Sequence, residues 1–298
     1  MKIGIDLGGH TLVTALVSDS TVGVLPHIVR TISDSTPRGR GVSDVMNVMA
    51  DAIANLAEGC DVTGVGVAVP GMIDGDRTHV RRMPNFPREW DDLDIPVGLA
   101  AALAARSLNI PSKIENDANC YALGEGSAGD AVGIKDFVTF TMGTGIGCGI
   151  ISGGRLLAGA HGMAGEAGHL VVRGDAPCGC GGMGHAETFA AADGTSRRAR
   201  ELGLPADFGE LWMMRGNHGA DIVIDATLDA MARAIASTCH LLDPELIIIG
   251  GGMSRAEGIG EALHKRTLPY LSRPFKAMFN LKISQLGNDA ALYGAASI

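Results

Sequence analysis

Aromatic residues are scarce in this chain: seven Phe, three Tyr and two Trp amount to 4% of its 298 residues. A core with so few large rings must close through aliphatic packing, and the 43 glycines mark places where backbone passes near backbone or a ligand. Basic runs are missing too. No Lys/Arg stretch exceeds a pair such as Arg81 and Arg82, and the formal net charge is -9. That excludes an extended nucleic-acid footprint and leaves an anionic substrate dependent on a local cradle. No apolar run reaches membrane-spanning length, and the opening MKIGIDLGG passes into a strand pattern without the basic stretch and long apolar segment of a signal peptide. The expectation is a cytoplasmic protein with no membrane and no nucleic-acid partner. Disulfides are not expected: of the six cysteines, Cys178 and Cys180 lie one residue apart, a spacing that suits metal ligation in a reducing compartment.

The length suits two lobes, and the apolar patterning alternates strand with helix, as in a layered α/β protein. Lys2 to Asp6 and Thr11 to Val17 read as strands around the turn Leu7-Gly8-Gly9-His10. Val45 to Leu56 has helical spacing, and Val62 to Val69 reads as a strand stopping at Pro70-Gly71. A helix over about Pro96 to Leu108 leads to the strand Ser112 to Glu115, after which Asn116-Asp117-Ala118-Asn119 opens another helix. Phe137 to Thr141 and Gly147 to Ile151 flank a second glycine-rich turn, a weak echo of the N-terminal hairpin. Residues 157 to 187 are loop-rich, helices fill much of 188 to 240, Leu246 to Ile249 is a short strand, and a last helix starts near Asp289.

Four constellations carry chemistry. Asp6 at a strand end can hold magnesium through water, while Gly8 and Gly9 let backbone N–H groups approach phosphate; a bland hairpin turn is the competing reading. Thr141-Met142-Gly143-Thr144-Gly145-Ile146-Gly147 offers hydroxyls and bare backbone to phosphate, without the lysine of a P-loop or the helix of a dinucleotide fingerprint. Gly250-Gly251-Gly252 after an apolar strand would accept a flat adenine or a ribose. Asn116-Asp117 at a helix mouth suits phosphorylation of an alcohol, which needs a carboxylate near the attacking hydroxyl and a neighbouring amide; simple helix capping is the alternative. His169, Cys178, Cys180 and His185 make a set of two sulfurs and two imidazoles that matches a closed structural zinc site, flanked by Glu166 and Glu187 with carboxylates available to sugar hydroxyls.

In their order along nearly the whole chain, these pieces resemble the ROK family of bacterial sugar kinases and repressors: Asp6-Leu7-Gly8-Gly9, Val69-Pro70-Gly71, Pro84-Asn85, Glu115 to Asn119, Gly143 to Gly147, Glu166 to His169, the CGCG stretch, and Asp243-Pro244 before Gly250. The resemblance implies an α/β, two-lobed actin/hexokinase-type (ribonuclease H-like) fold with a zinc-bearing loop. Its smaller lobe would be 1-108, completed by the C-terminal helix 288-298, and its larger lobe 109-287. It implies ATP-dependent phosphorylation of a hexose, glucose first and an N-acetylhexosamine second, with Asp117 as base. Gly71, Asn85, Asn116, Glu166, His169 and Glu187 would bind the sugar. Asp6, Gly8, Gly9, Gly143, Thr144, Gly145 and Gly251 would serve ATP and Mg2+; His169, Cys178, Cys180 and His185 would hold Zn2+. A homo-oligomer is implied as well. Two positions depart from the family pattern: His10-Thr11 replaces a Thr-Lys pair after the first glycines, and His185 replaces a third zinc cysteine. The repressors carry a helix-turn-helix ahead of the first strand, which here begins at residue 2, so DNA reading is not expected. A sugar sensor without catalysis and an actin-type ATPase are the other readings; Asp117 argues against the first and the Glu/His/Cys cluster against the second.

Overall fold

The computed structural model describes residues 1–298 apart from Arg38, Arg40 and Asn85. In chain order the elements are β1 (Lys2–Leu7), β2 (Thr11–Val17), β3 (Ile28–Ser35), α1 (Val42–Ala57), β4 (Gly64–Val69), β5 (Met72–Ile73), β6 (His79–Arg82), β7 (Leu93–Asp94), α2 (Ile95–Ala104), β8 (Ser112–Asn116) and α3 (Asp117–Ala128). There follow β9 (Phe137–Met142), β10 (Ile146–Ser152), β11 (Arg155–Leu156), α4 (Ala186–Ala190), α5 (Ala192–Glu201), α6 (Phe208–Met213), α7 (His218–Leu242), β12 (Leu246–Gly250), α8 (Ile259–Thr267), α9 (Arg273–Met278), β13 (Leu281–Ile283) and α10 (Asp289–Ser297). They divide into two compact units, one of residues 1–133, 156–164 and 288–298, the other of 134–155 and 165–287.

In the first unit the sheet order is β3-β2-β1-β4-β8, with β1 antiparallel to β2 and parallel to β4. Strand alternation splits each central strand between two faces. Ile3, Ile5 and Leu7 of β1 and Val65, Val67 and Val69 of β4 enter one core with α1, α2 and Trp90. The opposite face carries Gly4, Gly66 and Ala68, and here α10 lies against the strands. A Cβ on Gly66 would fall 1.7 Å from the Ala295 carbonyl oxygen, and one on Gly4 2.0 Å from that of Leu292. The same helix packs on α3 through Gly124 and Gly294, where added Cβ atoms would meet the carbonyl oxygens of Ala290 and Cys120 at 1.8 and 1.7 Å.

The second unit has the sheet order β11-β10-β9-β12-β13, with β9 and β10 as a hairpin and β12 parallel to β9. Its core packs Val138, Phe140, Ile247 and Ile249 against Val223, Met231 and Ile235 of α7 and against Trp212, whose indole N–H donates to the Glu257 carbonyl at 2.8 Å. Helix α7 ends on Asp243 in the left-handed conformation, directly before Pro244, which cannot continue a helix.

Three features depart from the sequence reading. The first lobe does not stop at 108: β8 pairs in parallel with β4 and α3 packs on α10, so the unit runs to Gly133. Strand β3 has no counterpart in that reading, because an edge strand spelling IVRTISDS is largely exposed and polar. Helix α2, capped by the Asp94 carboxylate accepting from Val97 N, ends at Ala104, short of Leu108. No helix among the described residues is long and apolar enough to cross a membrane.

The glycine packing predicts opposite responses to one added methyl group. Gly66→Ala must push α10 off the sheet and is expected to cost about 3 kcal/mol or more in urea unfolding. Gly98→Ala in α2 meets only the flexible Met46 side chain at 3.4 Å, and it is expected to be neutral or to stabilise by up to about 1 kcal/mol.

Candidate active site

The N-terminal glycine turn is a closed clasp. Gly8 N donates to Thr11 O at 3.0 Å; from the far end of β3, Thr36 donates its hydroxyl to Gly8 O at 2.7 Å and its N–H to His10 O at 2.9 Å. Thr36 is buried, so these two bonds to the turn are made out of solvent. The sequence reading missed Thr36, which reaches the turn from 28 residues away. Just before the turn, Asp6 has its carboxyl pushed up to about 7, first by burial and then by the negative charge of Asp117.

Asp117 is the first residue of α3, and Asn116 is its N-cap. The Asn116 side-chain oxygen accepts from Ala118 N at 2.9 Å and Asn119 N at 3.1 Å, and its amide donates to Gly71 O at 3.0 Å. Capping and site-building therefore coincide: the amide that satisfies the open helix end also anchors the β4–β5 turn. One Asp117 oxygen accepts from Ala118 N at 2.8 Å. Gly71 sits at φ 122, and a Cβ there would lie 2.2 Å from Arg82 O. Behind the pair stands Glu115, buried and not among the expected site residues, with one oxygen accepting from Asn116 N at 2.9 Å and Asn119 Nδ2 at 3.0 Å. Burial raises the Cys120 thiol well above its ordinary range, and Glu115, Asp117 and Asp6 add to the shift. Asn85, expected beside Gly71, lies outside the described residues.

In the second unit the turn between β9 and β10 closes by Gly143 N donating to Gly145 O at 3.0 Å, with Thr144 exposed at its tip. Gly251, at φ 83, passes so close to β9 that a Cβ would lie 2.5 Å from Met142 O. The nucleotide-directed residues Gly143, Thr144, Gly145 and Gly251 are therefore brought together at one end of the β9–β12 pair. Glu187, in the first turn of α4, joins them: one carboxylate oxygen accepts from Ile146 N at 2.9 Å and fills the space a Gly145 side chain would need. That oxygen is committed to the turn, whereas the sequence reading left the whole carboxylate to a sugar.

Glu166 precedes a single turn of 3₁₀ helix, Ala167–His169, and its Oε2 lies 3.6 Å from His169 Nε2. The other ring nitrogen of His169, Nδ1, is buried with no hydrogen-bond partner. Ligand atoms of His169, Cys178, Cys180 and His185 all lie within 4.8 Å of one another. Backbone bonds wrap the segment around them: Cys178 N donates to Gly182 O at 2.8 Å and Ala186 N to Leu170 O at 2.9 Å. An orphaned imidazole nitrogen facing two thiols and a second imidazole fits a tetrahedral zinc site.

The geometry and the comparisons with known proteins agree. A curated glucokinase from Thermotoga maritima is 35% identical over 99% of this chain and 96% of its own length. An N-acetylgalactosamine kinase from Shewanella is 31% identical over 99% of the chain and 96% of its own length. The crystal structure of a ROK family glucokinase from Streptomyces griseus in complex with glucose and AMPPNP, 28% identical, superposes with a TM-score of 0.82 over 99% of this chain and 98% of that one. These matches put the chain among the sugar kinases, on the α/β actin/hexokinase-type fold. The family model named ROK matches residues 2–298, and the chain belongs to the ROK family.

Metal analysis of the purified protein is expected to return about one zinc per chain, and Cys178→Ser to release it and lower the melting temperature, because metal binding is coupled to folding of the segment. A wild-type protein that holds no zinc at full stability removes the metal from this site.

Proposed function

We propose that the protein transfers the γ-phosphoryl group of ATP to a hexose hydroxyl, with glucose as the preferred acceptor and glucose 6-phosphate as product. The observation that carries this reading is Asp117 at the start of α3, held by the Asn116 cap in the same unit as Asp6 and the clasped Gly8-Gly9 turn. A loose phosphoryl-transfer transition state asks little covalent chemistry of the protein, so positioning and charge dominate. Asp117 accepts the proton of the attacking hydroxyl through its carboxylate. Asn116 keeps a second amide hydrogen for a sugar hydroxyl, beside the turn at Gly71 and the Asn85 segment. Glu166, His169 and the remaining oxygen of Glu187 are assigned to the sugar; Gly8 and Gly9, and in the second unit Gly143, Thr144, Gly145 and Gly251, are assigned to the nucleotide. Asp6 would stand near a magnesium ion, which would supply positive charge to the nucleotide phosphates. His169, Cys178, Cys180 and His185 would hold zinc, which would order the segment that carries Glu166 and Glu187.

An N-acetylhexosamine is the second candidate acceptor, supported by the relative that acts on N-acetylgalactosamine. Sugar choice rests on a few hydroxyl contacts within one constellation.

An ADP-release assay against a panel of hexoses and N-acetylhexosamines separates the two. Asp117→Ala is expected to lower kcat by about 10² to 10⁴-fold, with the KM for sugar within about tenfold of wild type. A kcat loss below about threefold would reduce Asp117 to a helix-start residue. Silence across the panel, with ATP and with polyphosphate, would favour the sugar sensor.

A further inference from the structure

The buried carboxylate of Glu115 is only half accounted for. Its Oε1 accepts two hydrogen bonds, from Asn116 N and Asn119 Nδ2. Its Oε2 is buried and has no hydrogen-bond partner, and the side chain is only 4% exposed. A charge so placed must be matched or it destabilises what surrounds it. One cation meets it: Arg77 NH1 stands 3.1 Å from Oε2, an ion contact without hydrogen-bond alignment.

Arg77 is delivered there by an unusual turn. Its φ is 58, a left-handed value that few residues other than glycine adopt. Asp74 builds the turn: its carbonyl accepts from Arg77 N at 3.1 Å, and its carboxylate from Thr78 N at 2.9 Å and His79 N at 3.1 Å. Arg77 also acts on the Cys120 thiol, in the opposite direction to Glu115, Asp117 and Asp6. Its guanidinium, 42% exposed, is half in water, so solvent screening weakens the pair without replacing it.

We infer that Arg77 is a positioning residue for the phosphoryl-transfer site: by balancing Glu115, it holds Asn116 and Asn119 in the arrangement that aims Asp117. This rests on the reading of Asp117 as the base. Without Arg77 the buried carboxylate loses this counter-charge, and its rearrangement moves the acceptor that fixes Asn116 N and Asn119 Nδ2. The effect would fall on turnover and not on binding, because Arg77 acts through Glu115 and α3.

The test compares Arg77→Met, Arg77→Lys, Glu115→Gln and the double variant Arg77→Met/Glu115→Gln with Asp117→Asn, at a temperature where circular dichroism shows each folded. Arg77→Met is expected to lower kcat by about ten- to hundredfold, with the KM values for ATP and sugar within about threefold. Glu115→Gln keeps an acceptor without the charge, so the double variant is expected to recover to within about threefold of Glu115→Gln alone. Arg77→Lys should lie between. A kcat for Arg77→Met within about twofold of wild type, where Asp117→Asn is inactive, overturns the inference and leaves the base intact. So does a double variant no better than Arg77→Met. Should Arg77→Met fail to fold, the double variant and Arg77→Lys carry the same comparison. Full turnover in Asp117→Asn removes the base, and this inference falls with it.

Discussion

The first unit depends on backbone meeting backbone. Helix α10 can lie on β1 and β4, and against α3, only because Gly4, Gly66, Gly124 and Gly294 carry no side chains where carbonyl oxygens stand. Dispersion energy falls steeply with separation, so contact at this range favours small residues over bulky aromatics, of which the chain has few. The consequence reaches the site: α3 begins with Asp117, and β1 ends beside Asp6. The packing that sets the height of α3 over the sheet also sets where these carboxylates meet.

Asp6, Glu115 and Asp117 all bear on the Cys120 thiol with Arg77 opposing them, and burial strengthens the effect at Asp6 and Cys120. Hydrogen bonds then choose what each oxygen can do. Glu115 spends one on the Asn116 and Asn119 side of α3, Asn116 spends its oxygen on the helix end, and one Asp117 oxygen accepts from Ala118 N. In the second unit Glu187 plays a comparable linking part, two residues after His185 and bonded to Ile146 N in the glycine turn. The segment that carries His185 is thereby tied to the β9–β10 turn.

The sequence by itself determined the class of the fold, the two glycine turns, the helix opening at Asn116 and the His/Cys set, because each is written in local chemistry: strand alternation, glycine runs, a capping residue, soft ligands at close spacing. Tertiary structure alone decided the rest. Thr36 reaches Gly8 from the end of a polar edge strand that no periodicity announces, and Arg77 reaches Glu115 through a left-handed turn that its sequence does not advertise. The division at Gly133 and not at 108 follows from the pairing of β8 with β4 and the docking of α10 on α3. Those are contacts between residues far apart in the chain, and their energies come from burial and charge in the folded state, where no local pattern can register them.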